Sequence, residues 1–145
     1  MREILFRGKD LQEQNGWLYG YFYKSDINKR ERESGKASLI FTPNCDTFIY
    51  VPEYHNSWMV KAETVGQYTG LKDKNGTRIF EGDIIRHHYK NPIENGYTSD
   101  KGVVKWDCKE CFFYRTSLSG KDKTISVDCI YEVIGNIYDN PELLE

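Results

Sequence analysis

The chain has 145 residues, of which 39% are apolar, 29% charged and 14% aromatic, so it holds one domain or two small ones and is too aromatic for a disordered chain. Twenty basic residues against twenty-two acidic ones leave a net charge of −2, which excludes an overall basic nucleic-acid clamp but not a local basic patch. No apolar run nears the roughly 18 residues of a membrane span, and charge enters at Arg2 and Glu3, too early for a secretion signal, so a cytoplasmic protein is expected.

Helix-period patterns are scarce, and short β-rich runs separated by turn residues dominate. Ile4-Leu5-Phe6 predicts an opening strand. Gly16 to Tyr23 predicts the clearest strand of the first half, with Trp17, Tyr19, Tyr21 and Tyr23 on one side and Leu18, Gly20 and Phe22 on the other. Both sides are largely apolar, which predicts a strand covered on both sides, by this chain or by a second copy. Asp26 to Gly35 reads as an exposed polar loop. Ala37 to Phe41 and Thr47 to Val51 read as a hairpin around Pro43-Asn44-Cys45-Asp46, ended by Pro52, which cannot donate to a ladder. Trp58 to Val65 reads as weakly extended.

In the second half, Asn75-Gly76 between two short extended segments predicts a type I′ hairpin turn. Glu81-Gly82-Asp83 predicts the next turn, and Ile84-Ile85 the next strand. A polar loop from Asn91 to Asp100 leads to Gly102 to Trp106. Phe112 to Tyr114, Ile125 to Val127 and Tyr131 to Ile137 read as further strands, with Gly135 marking a bulge or bend in the last. Asn140-Pro141-Glu142 predicts one helical turn, with Asn140 as its N-cap. The fold class expected is all-β: an N-terminal antiparallel sheet (1–65) packed on a C-terminal SH3-like small barrel (66–145), closed because closure removes exposed strand edges.

Cys45, Cys108, Cys111 and Cys129 read as reduced thiols. Cys108 and Cys111 form a CxxC, but no second pair completes a zinc site, and adjacent His87 and His88 point to opposite sides of a strand. No metal or cofactor is therefore assigned.

The stretch Thr64 to Gly76, continuing through Ile79-Phe80-Glu81-Gly82-Asp83-Ile84-Ile85, resembles the signature of the YopX proteins of phages and prophages of Gram-positive bacteria. Phe6-Arg7-Gly8-Lys9, Trp17 to Tyr21, Gly102 to Asp107 and Glu132 to Leu144 resemble the same family. The resemblance implies an SH3-like barrel and a bacterial host cytoplasm. It implies no activity and supplies no catalytic residues. The motif also has a folding rationale in the residues themselves: Gly70, Gly76 and Gly82 suit backbone reversals, Asp73 and Asp83 suit turn starts, and Leu71, Ile79 and Ile84 suit a core.

Three functional readings follow. An Mg²⁺-dependent nuclease would use Asp83 and Asp107 as metal ligands and Lys109 to activate water, but such carboxylates are commonplace at strand ends. A nucleic-acid-binding reading uses the basic, aromatic run Arg86, His87, His88, Tyr89 and Lys90, although the chain from Thr124 onward has five acids and no base. A protein-binding or self-association reading uses the Trp17, Tyr19, Tyr21 and Tyr23 stripe, since aromatic side chains anchor interfaces. The sequence favours a non-enzymatic binding or assembly module acting on a host or phage macromolecule.

Overall fold

The structure, a computed structural model, describes residues 3–25, 46–91, 96–117 and 123–145. The described residues are all-β, with eleven strands, three short 3₁₀ turns and no α-helix. The chain divides into two compact units, one of them Ile4–Gly66 and the other Gln67–Glu145 together with the first three residues.

In the first unit, β1 (Phe6–Lys9), β2 (Trp17–Lys24), β3 (Thr47–Val51) and β4 (Asn56–Met59) pair antiparallel in the order β4-β3-β2-β1. The opening strand starts at Phe6, later than its apolar letters suggest, where its pairing with β2 begins, and the Arg7 guanidinium sits 4.6 Å from the centre of the Trp17 ring. Pro52 ends β3 in a 3₁₀ turn, and His55, at φ 49°, reverses the chain into β4. The extended stretch expected from Trp58 to Val65 stops at Met59, followed by a bridge at Val60 and a 3₁₀ turn over Ala62–Thr64. The predicted Asp26–Gly35 loop and Ala37–Phe41 strand, and Pro43 to Cys45 of the turn, lie outside the described residues. Leu18, Ile49, Val51 and Val60 form the core on one side of this sheet, with Phe6, Phe22, Trp58 and Val65 packed against them. Burying such side chains contributes about 1.5–3 kcal/mol each, which sets the register of β2.

In the second unit, β5 (Gly66–Lys72) and β6 (Arg78–Phe80) form a hairpin. The strands β7 (Asp83–Asn91), β8 (Gly96–Asp107), β9 (Phe112–Ser117), β10 (Lys123–Thr124) and β11 (Ile130–Asn136) form an antiparallel sheet ordered β10-β9-β8-β7-β11. Leu71 and Ile79 of the hairpin pack with Ile85, Val104, Phe113, Ile125, Tyr131 and Val133 of the sheet side, so the hairpin lids the sheet's apolar side.

Four expectations are corrected here. The ring of strands is not closed among the described residues: β10 and β11 are the two edges of an open sheet. The two described residues of β10 pair with β9, and β11 meets the β5–β6 turn, where Lys74 donates its N–H to the Tyr131 carbonyl at 2.9 Å. The Asn75-Gly76 reversal is not type I′, which needs positive φ at both residues. Only Gly76 has it (φ 83°), and the bonds from Gly76 N–H to Asp73 O and from Asp73 N–H to Thr77 O make a three-residue loop closed by a glycine bulge. The polar stretch from Asn91 to Asp100 is largely strand, because the β7–β8 ladder is made by backbone N–H and C=O groups whatever the polarity of the side chains; only residues 92–95 fall outside the description. The expected Ile125–Val127 strand is displaced to Lys123–Thr124, with Ile125 buried and Val127 exposed.

β11 carries the expected irregularity between Val133 and Gly135, where a Cβ on Gly135 would lie 2.6 Å from Asn140 Oδ1 and 2.8 Å from Leu143 Cδ1. The closing turn is 3₁₀, Pro141–Leu144. Asn140 does not cap it by its side chain, because its Oδ1 accepts the N–H of Asn136 at 3.4 Å instead.

Candidate binding surface

The pleat of β2 turns Leu18, Gly20 and Phe22 inward and leaves Tyr19, Tyr21 and Tyr23 46%, 55% and 39% exposed. Among the described residues, this chain covers the Leu18 side of the strand and leaves the three tyrosines partly exposed. Register extends the same surface across the sheet. Tyr21 pairs with Tyr50, Tyr23 with Phe48, and Trp17 with Lys9, and directly paired residues share a side. The Tyr23 and Phe48 rings stack at 5.3 Å and 15°, while Arg7 and Lys9 lie 4.6 and 6.0 Å from the Trp17 ring centre. Rings with few rotatable bonds, held in a row on a rigid strand, make a preorganised contact surface.

The run Arg86 to Lys90 lies within β7 and is divided by the pleat. Arg86 and His88 share one side, and both meet a single carboxylate. Glu132 Oε2 is 3.6 Å from Arg86, 3.3 Å from His88 Nε2 and 3.1 Å from Lys74 Nζ. The bond from Lys74, then that from His88, holds the Glu132 carboxyl below its usual range. His87 and Tyr89 share the other side, their rings 5.3 Å apart, with the Tyr131 ring 5.2 Å from His87. Lys101, cross-strand from Arg86, donates to the Leu143 carbonyl at 2.7 Å. The five-residue run is thus not one basic groove.

Beside His87 lies a group that period-two reading of β9 would have found. Arg115 stands two residues after the core residue Phe113, so it points inward and is only 1% exposed. Its guanidinium is 3.0 Å from Asp100 Oδ1 and 3.4 Å from His87 Nδ1. Asp100 Oδ1 and His87 Nδ1 are 3.9 Å apart, beyond hydrogen-bond range, so the arginine is the nearer partner, in an ion pair between buried Arg115 and partly exposed Asp100.

The signature residues are spent on the backbone. Gly70, Gly76 and Gly82 all have positive φ, between 83° and 88°. Asp73 accepts N–H bonds from Asn75, Thr77 and Val133, and Asp83 accepts that of Phe80 at 2.7 Å. Asp107 accepts those of Lys109 and Glu110. Cys108 and Cys111 are exposed and Cys129 half-buried, while Cys45 lies outside the described residues. Among the described residues no three His, Cys, Asp or Glu side chains are grouped to hold a metal ion, and no helix is long and apolar enough to cross a membrane.

The sequence profile of a family described as YopX protein matches residues 5–145. The chain belongs to the YopX family. A crystal structure of protein EF1440 from Enterococcus faecalis is similar to this YopX chain over 100% of both chains, at 23% identity and a TM-score of 0.49. No curated protein matches it.

Proposed function

We propose that this YopX protein is a non-enzymatic binding or assembly module of a phage or prophage, acting on a host or phage macromolecule through the aromatic side of its N-terminal sheet. The supporting observation is the outward row Tyr19, Tyr21 and Tyr23 on the central strand β2. Three large rings in a row at the surface are costly to leave in water and are the residue type that anchors interfaces. The carboxylates of an Mg²⁺ nuclease support that reading poorly, since Asp83 and Asp107 both accept local backbone amides.

The test compares wild type with a Tyr19→Ser/Tyr21→Ser variant in two assays. One is sedimentation at high protein concentration, and the other is a pull-down from host lysate with and without nuclease. Loss of self-association or of a captured partner in the variant supports the proposal. A monomeric wild type that captures nothing, or capture indifferent to the tyrosines, overturns it.

A further inference from the structure

We infer that Cys108 and Cys111 close into a reversible disulfide, which makes the β8–β9 loop a site of thiol–disulfide exchange with low-molecular-weight disulfides. The site belongs to the second unit and does not depend on the β2 surface.

The loop sets the two residues against each other. Asp107 and Phe112 are the last pair of the β8–β9 ladder, so residues 108–111 make the whole reversal, with Cys108 its first residue and Cys111 its last. A turn of this length brings its end Cα atoms within about 7 Å, and a disulfide spans about 4.4–6.8 Å. Cys111 Sγ lies 3.8 Å from the Cys108 carbonyl oxygen. Asp107 Oδ1 accepts the N–H groups of Lys109 and Glu110 at 2.8 and 3.1 Å, which winds the chain between the cysteines.

Backbone and exposure set this pair apart from ordinary turn residues. Cys111 has φ 56°, in the left-handed region that favours glycine or asparagine, so a cysteine is held there against its backbone preference. Both thiols are exposed, whereas inert structural cysteines are buried. Cys111 lines a cleft of about 220 Å³ with Trp106, Phe112 and Val127. Cys108 stands outside that cleft, so it is the thiol that an incoming disulfide meets first.

The Cys108 thiolate attacks one sulfur of the small disulfide, and the other sulfur leaves as a thiolate with the electron pair of the broken bond. The Cys111 thiolate then attacks the Cys108 sulfur and releases the second small thiol. The protein gives up two protons and two electrons, and the small disulfide is reduced to two thiols.

Glutathione disulfide, added to the reduced full chain, is the probe. Trypsin cuts after Lys109, between the cysteines, so peptides 106–109 and 110–115 stay joined only where the bond has formed. Wild type, alkylated and digested without reductant, should yield the joined pair, and excess reduced glutathione should return the separate peptides. Cys111→Ser should instead hold one glutathione on Cys108, since no second thiol releases it. Asp107→Ala, which loses both loop bonds, should lower the equilibrium constant for closure by between about fivefold and about tenfold. Circular dichroism confirms that each variant is folded. In folded wild type, separate peptides, glutathione retained on Cys108, or pairing of either cysteine with Cys45 or Cys129 overturns the inference. A closure constant indifferent to Asp107→Ala overturns it too.

Discussion

The Asp73 carboxylate accepts the backbone N–H of Val133 at 3.0 Å, tying the β5–β6 turn to a strand 60 residues further along the chain. Its other oxygen accepts the N–H groups of Asn75 and Thr77, at 2.8 and 2.9 Å. One side chain thus shapes a turn locally and fastens it to the edge strand β11, where a closed ring would have needed another ladder. Burial raises the Asp73 pKa, but the three backbone amides outweigh it and leave the carboxyl below 3.8. A depressed folded-state pKa means that its stabilisation is complete above about 3.8 and lost as pH falls below that. Asp73→Ala should cost about 3 kcal/mol at neutral pH, since three bonds to a charged acceptor vanish and are not additive. Asp73→Asn should flatten the acid limb of stability. Urea denaturation at pH 7 and pH 3 measures both, and an unchanged acid limb in Asp73→Asn would refute the argument.

Tyr131 should ionise late. Burial pushes its hydroxyl up to about 12, although that hydroxyl also accepts the Ser126 N–H at 3.2 Å. The folded state keeps the proton that the unfolded state releases near 10, so stability holds below pH 10 and declines from there to about pH 12. A spectrophotometric titration should show one tyrosine ionising late and together with loss of structure. Tyr131→Phe should remove that late step.

How much of this was legible in the sequence differs by element. The positions of β2 and β3 were readable because aromatic and β-branched letters cluster there and Pro52 stops the ladder. Which side of β2 is core was not readable, since Leu18 and Phe22 look no more buried than Trp17 and Tyr21 until Ile49 and Val60 are brought beneath them. The β7 run does not act as one group for a simpler reason: five consecutive letters in a strand belong to two surfaces, and Glu132, 44 residues after His88, sits among the cations of one of them. Arg115 is hard to read as core because a charged residue beside an aromatic run looks solvent-facing until parity with Phe113 is applied.

Gly20 should tolerate no side chain. A Cβ there would lie 1.9 Å from the Tyr50 carbonyl oxygen, a backbone atom that cannot move aside without breaking the β2–β3 ladder. Gly20→Ala should therefore cost about 3 kcal/mol or more, at the upper end for overpacking. Gly16 is the contrast. It has φ 65° with nothing within 4 Å of a Cβ, so Gly16→Ala should cost only the ~1–2 kcal/mol of a left-handed alanine. Urea midpoints of the two variants should separate clearly, and equal midpoints would contradict the packing at β2.

Glu132→Gln tests β7 as a nucleic-acid surface. The carboxylate lies between Lys74, Arg86 and His88, so its removal leaves that side of the β7–β11 sheet more positive by one charge. If β7 were the nucleic-acid groove, the variant should bind an oligonucleotide more tightly and with a steeper salt slope, by about 0.7 for each added phosphate contact. Without a groove on β7, affinity and slope should both match wild type. Fluorescence anisotropy of a labelled oligonucleotide, titrated at two salt concentrations, measures both quantities. A tighter, more salt-sensitive Glu132→Gln variant would place a nucleic-acid site on β7.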